Sequence, residues 1–200
     1  SWLMGQQFDA EGNPLYGVYD MAGEPLVFTK ELPDGNFTSE MAGYRMNKYE
    51  VATGSEWSCD TDIPLIRYSE VLLMKAECLL RTDKAGALVT QVRQRNFKNN
   101  PDKATVTDEE LKENSAYQWG YVENYSITEP GDRTPVKFGR LFDELCWEFA
   151  WEGHTRRDMI RFGLFTEKSW LSHKPMGDYR SVFPIPESTL IANPELTQNP

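Results

Sequence analysis

Three carboxylates at helical spacing, Glu144, Glu148 and Glu152, stand beside two tryptophans, Trp147 and Trp151. Paired acids next to rings invite a glycosidase reading. Glycoside hydrolysis, however, needs an acid and a nucleophile or base that approach the sugar from different sides, about 5 to 9 Å apart. Positions i, i+4 and i+8 of one helix lie along one edge and cannot flank a bond. Arg156, Arg157 and Arg161 follow shortly after Gly153. The expected role of the acids is therefore a partly buried Glu and Arg network that ties two helices together, since buried charges persist when paired.

Other chemistry has less support. The only imidazoles are His154 and His173, and neither sits at a metal-ligand spacing such as HExxH or near a CxxC pair. His154, beside the Gly153 turn, reads as a helix cap or a packed residue. The chain lacks a GxSxG elbow, a GxxxxGK[ST] loop and a GxGxxG turn, the usual sequence supports of hydrolase, nucleotide and dinucleotide sites. The expectation is a protein with no catalytic residue, no cofactor and no metal.

Rings in polar surroundings are the stronger signal. Trp119, Tyr121 and Tyr125 fall in the segment AYQWGYVENY with Gln118, Glu123 and Asn124. Sugars present C–H faces that stack on aromatic rings and hydroxyls that pair with amides and carboxylates. These three residues are the leading glycan-binding candidates, and Trp57 and Trp2 are weaker ones. The competing role is structural, in which the rings anchor a long loop to the helical body.

Helices must position those loops. Asp62-Ile63-Pro64 precedes an apolar run that predicts a helix from Leu65 to about Arg81, with Pro64 in its first turn. Its polar stripe is narrow (Arg67, Glu70, Glu77, Arg81), so this helix should be packed on several sides. A second helix is expected from about Lys84 to Phe97, antiparallel to the first across Thr82-Asp83. A third should run from about Val136 to Glu152 and a fourth from Thr155 to Arg161, with Gly153 between them. Thr107 and Glu110 have capping-box spacing, and Tyr44 to Val51 is the best strand candidate. Residues 1–60 read as a variable, loop-rich lead-in and 61–200 as the helical region, and Asn99 to Pro135 is expected to be mostly loop. The predicted class is mainly α, with tetratricopeptide-like hairpins and long irregular loops. Two hairpins are fewer than the three repeats that usually bury a continuous core.

Composition narrows the partners. Thirty-one acidic residues against 21 basic give a net charge of −10, which disfavours nucleic acid and anionic membrane surfaces. Three cysteines imply no disulfide framework, and Cys78 and Cys146 fall in apolar helical patterns that suggest buried thiols. The longest apolar run, Val71 to Leu80, is interrupted by Lys75 and Glu77 and is too short to span a bilayer.

Three stretches together resemble the SusD/RagB family of nutrient-binding outer-membrane lipoproteins. The first is Asp62 to Leu80 (DIPLIRYSEVLLMKAECLL), followed by Gln91-Val92-Arg93-Gln94-Arg95. The second is Glu148 to Gly163 (EFAWEGHTRRDMIRFG), with Thr155 where the family usually carries Arg. Leu145, Cys146 and Trp147 likewise occupy a turn where Arg-rich sequence is usual. The third is Phe183 to Pro200 (FPIPESTLIANPELTQNP), similar to the family's C-terminal signature. The resemblance implies a C-terminal portion of a larger, mostly helical protein. It also implies a lipid anchor on an N-terminal cysteine outside this chain, and residence at the outer membrane on the cell surface of a Gram-negative bacterium. The implied function is capture of an oligosaccharide or polysaccharide for a SusC-like TonB-dependent transporter. The alternative is a helical-repeat module that binds protein or peptide and no carbohydrate. The family motifs are scaffold residues, so the candidate binding residues rest on the aromatic reading alone.

Overall fold

A computed structural model of the chain describes residues 2–30, 39–49, 61–80, 82, 84–124 and 126–199. Trp57 and Tyr125 lie outside the described residues. The chain divides into two compact units, residues 1–64 and 65–200.

The first unit carries short strands. β1 (Trp2–Leu3) pairs antiparallel with β4 (Arg45–Met46), and β2 (Gly5–Gln6) with β3 (Val27–Phe28). The strand expected from Tyr44 to Val51 is thus present over two described residues. Arg45 organises this unit: its guanidinium lies 4.9 Å from the Phe28 ring centroid and donates to the Glu40 carbonyl at 2.8 Å.

Helices build the second unit. α1 (Tyr68–Leu79) and α2 (Gly86–Gln94) form the expected hairpin, followed by α3 (Asp108–Lys112), α4 (Gly139–Glu148), α5 (Thr155–Arg161) and α6 (Glu187–Ala192). The main core joins Leu73 and Ala76 of α1, Val89 and Val92 of α2, Leu111 of α3, and Leu141, Leu145 and Phe149 of or next to α4. A second cluster of Val136, Phe142, Met159 and Leu164 lies where α4 meets α5. α3 starts with the predicted capping box, in which the Thr107 hydroxyl accepts from Glu110 N and the Glu110 carboxylate accepts from Thr107 N. Thr107→Ala is expected to cost about 1 kcal/mol in chemical denaturation.

Several boundaries differ from those read in the sequence. α1 begins at Tyr68, not Leu65, because Arg67 is extended (φ −127°, ψ 162°), leaving Pro64 outside its first turn. α4 begins at Gly139, not Val136, since Phe138 takes a left-handed backbone (φ 56°). Gly139 suits that start: a Cβ there would lie 2.1 Å from Ser115 N. α4 ends at Glu148, and left-handed Trp151 and Gly153 turn the chain, so Glu152 lies beyond the helix. α1 is packed less completely than expected, with Tyr68, Val71 and Met74 exposed, and Cys78 is an exposed thiol, not a buried one.

The largest correction lies between Asn99 and Pro135. β5 (Gly120–Glu123) and β6 (Ser126–Pro130) pair antiparallel, with a register shift at Tyr121/Val122. The far edge of β5 is also engaged, as Gly120 N donates to Ser169 O at 2.8 Å and Val122 N to Leu171 O at 2.6 Å. This ladder forms although β6 is exposed along its whole length, because backbone pairing, not apolar burial, holds it.

The C-terminal segment folds back on itself. Gln198 accepts from Ile185 N at 2.8 Å and donates to Ile185 O at 2.9 Å, while Arg156 covers the Phe183 ring at 4.3 Å.

Candidate functional site

The acid row is a structural network. Glu148 is 7% exposed and accepts from Arg67 Nη1 at 2.5 Å and Arg95 Nη2 at 2.6 Å. Arg67 also forks onto Glu152 through Nε at 2.6 Å and Nη2 at 2.7 Å. Glu144 is 4% exposed and accepts from Arg93 at 2.7 Å, with Arg140 forming a 2.6 Å ion pair to the same oxygen. These partners come mainly from the α1 start and α2, so the expected pairing with Arg156, Arg157 and Arg161 is corrected. Arg157 instead meets Glu70 and Asp158, and Arg161 meets Glu77 and Asp158. Burial raises the Glu148 carboxyl, but hydrogen bonds from Arg67 and Arg95 outweigh it and hold the group below the ordinary glutamate value of 4.5. A carboxylate kept ionised by two arginines is a poor proton donor to a leaving group.

The histidines pack against rings. His154 precedes α5 and makes no side-chain cap bond; its ring stacks on Phe149 at 4.6 Å. His173 stacks on Trp170 at 3.7 Å. Among the described residues no group of three or more His, Cys, Asp or Glu side chains could hold a metal ion.

The ring-bearing hairpin borders two pockets. Tyr117 and Trp119 meet edge to face, with centroids 4.8 Å apart, and line both. On the hairpin side a pocket of about 500 Å³ is lined also by Asn114, Gln118, Ile127, Pro130 and Arg133. Gln118 and Arg133 make no side-chain hydrogen bond or ion pair to other described residues. On the helical side a pocket of about 460 Å³ is walled by Phe142, Cys146, Trp147, Met159 and Trp170. Burial, then the nearby charges of Asp143 and Asp158, pushes the Cys146 thiol up to about 12.

A clamp fixes this hairpin. Buried Lys168 donates to Asp132 Oδ2 at 2.7 Å, Asp132 O at 3.0 Å and Thr134 O at 2.8 Å. The Lys168 bond, with further bonds from Thr134, holds the Asp132 carboxyl far below the usual range. Lys174 ties β6 through Glu129 at 2.6 Å.

The sequence candidates divide accordingly. Trp119 is half-buried, packs 6.3 Å from Phe142, and has an indole N–H buried without a partner. Tyr121 is half-buried on β5, and Lys174 Nζ stands 4.3 Å from its ring centroid, so one face is already covered. Trp2 is 52% exposed on β1 in the first unit. Sequence reasoning missed Trp147, Tyr117 and Trp170 as site residues. Trp147 is 55% exposed, with Arg140 over one face at 4.7 Å, and Tyr117 is 44% exposed. Helical phase gave no signal for Trp147, which stands three residues after buried Glu144 on the same side of α4; its exposure depends on what packs around that helix.

The frame and the ring-walled pockets define a mainly helical domain that presents irregular aromatic segments, and this architecture has a family. The chain belongs to the SusD family, whose profile matches residues 27–200. It is 30% identical over 150 residues to the starch-binding protein SusD of Bacteroides thetaiotaomicron, covering 70% of this chain and 21% of that protein. It is 29% identical over 145 residues to SusD-like protein P25 of Formosa agariphila, covering 68% of this chain and 23% of that protein. The chain therefore spans about a fifth of the length of these curated relatives.

Proposed function

We propose that this chain belongs to a cell-surface protein that captures an oligosaccharide or polysaccharide without chemically altering it. The observation that carries this reading is the Tyr117–Trp119 pair, which offers ring surface to two adjoining pockets beside Gln118 and Arg133, whose side chains bond to no described residue. Rings stack on sugar C–H faces while amide and guanidinium groups take hydroxyls. Family membership and the name of the starch-binding relative support the same class of ligand. The arginine-paired acids argue against hydrolysis, because neither Glu144 nor Glu148 is disposed to protonate a leaving group.

In this proposal the helical hairpins act as a tetratricopeptide-like scaffold and residues 61–200 are its helical region. Ligand is passed to a SusC-like TonB-dependent transporter at the outer membrane, where a lipid anchor outside this chain holds the protein. Trp119 and Tyr121 contribute contacts, with Tyr125, Trp57 and Trp2 as further candidate contacts.

Affinity electrophoresis through a panel of neutral polysaccharides tests this. At least one should retard the chain, and Trp119→Ala should weaken that retention about tenfold. Tyr117→Ala, at a more exposed position, should have a similar effect with an unchanged circular-dichroism spectrum. Tyr121→Ala should do less, since Lys174 shares its ring. Retention by no polysaccharide together with tight peptide binding would replace this reading, and release of reducing ends would make the protein an enzyme.

A further inference from the structure

The two pockets beside the Tyr117–Trp119 pair differ in chemistry. Among the described residues no cation lines the helical-side pocket, and the single carboxylate there, Asp143, is already engaged: Oδ1 accepts from Ser115 Oγ at 2.5 Å and Oδ2 from Ala116 N at 2.7 Å. The rest of the lining is mostly thioether, thiol, aliphatic and aromatic surface from Phe142, Cys146, Trp147, Met159, Trp170 and Leu171; its polar groups are the Thr155 and Tyr117 hydroxyls and the indole N–H groups, that of Trp119 buried without a partner. A pyranose carries three or more hydroxyls. Each one buried here without a partner would cost about tenfold in affinity. An anionic substituent would find no counter-charge. An uncharged apolar group would displace water from about 460 Å³ of mostly apolar space, within the range of small-ligand sites.

We propose that the helical-side pocket receives an acyl or alkyl substituent carried by the captured glycan, while the sugar ring sits across the Tyr117–Trp119 pair on the side of Gln118 and Arg133. This inference rests on the glycan-binding reading and adds the ligand's class: a neutral, apolar-substituted sugar. The boundary is the ring pair itself, so one bound residue reaches both pockets. Trp147, whose ring lines the apolar side while Arg140 covers one face, becomes the specificity-determining contact.

The test titrates the chain with methyl, butyl and hexyl β-glucosides below their micelle concentrations and reads intrinsic tryptophan fluorescence. Affinity should rise about fourfold per added methylene until the pocket is filled. Ala116→Phe, at an exposed position on the pocket rim, should flatten that dependence, and Trp147→Ala should weaken it. Equal affinity across the series, alongside retention by a polysaccharide, would overturn the inference and leave the glycan reading standing. A chain-length dependence without retention by any polysaccharide would overturn the glycan reading and keep an apolar ligand pocket. Neither effect would overturn both.

Discussion

Arg67→Ala is expected to lower the thermal midpoint of the chain by about 10 °C, the largest loss from removal of a single charge. Arg67 bonds Glu148 at 2.5 Å and Glu152 at 2.6 and 2.7 Å, donates to Glu148 O at 2.8 Å, and covers the Phe149 ring at 4.8 Å. Removing it strands carboxylates that are nearly inaccessible to water, a loss of about 3–5 kcal/mol. At this chain length each kcal/mol moves the midpoint by about 2–4 °C. The same network sets an acid limit. Glu148 is held below 4.5, so its stabilisation is fully present above that value and is lost as pH falls through the depressed one. A melting series from pH 6 to pH 3 should fall for the parent chain. In Arg67→Ala the Glu148 part of that fall should shrink, since one of its two arginine partners is gone.

Phe149→Ala should cost a comparable amount, about 3–5 kcal/mol, seen as a lower urea midpoint at unchanged slope. The ring is 1% exposed and lies between the Arg67 guanidinium and the His154 ring, at 4.8 and 4.6 Å. Deleting it opens a cavity and removes the surface against which both polar partners are oriented. Phe149→Leu should cost about 1 kcal/mol, because much of the volume returns. A small effect from the alanine change would mean that the joint between α1 and α4 is not part of the cooperative core.

Local signals were the legible ones. The α5 limits, Thr155 to Arg161, and the Thr107 box appear in the sequence because caps and breakers act within a few residues. The charge network was legible only as a category. Glu144 and Glu148 do meet arginines, but Arg67, Arg93 and Arg95 arrive from elements some 50 to 80 residues earlier, and spacing along the chain cannot say which cation reaches which acid. The β5–β6 hairpin was missed because its sequence is polar and lacks alternation; its order derives from Ser169 and Leu171, which are distant in the chain. The site was half legible. Trp119 and Tyr121 were drawn from their ring-rich loop, whereas Trp147 lay within a helical motif in phase with buried Asp143 and Glu144, so nothing local marked it as exposed.

The central claim assigns support to the patterned helices and recognition to the aromatic surface around Tyr117 and Trp119. The six tryptophans provide six indole N–H resonances for its most direct test, a nitrogen–proton correlation titration with oligosaccharide from whichever polysaccharide retards the chain. The account predicts shifts at Trp119, Trp147 and Trp170, with the backbone signals of α1 and α2 unmoved. Saturable binding that leaves those three indoles in place and instead perturbs the α1–α2 hairpin would contradict it.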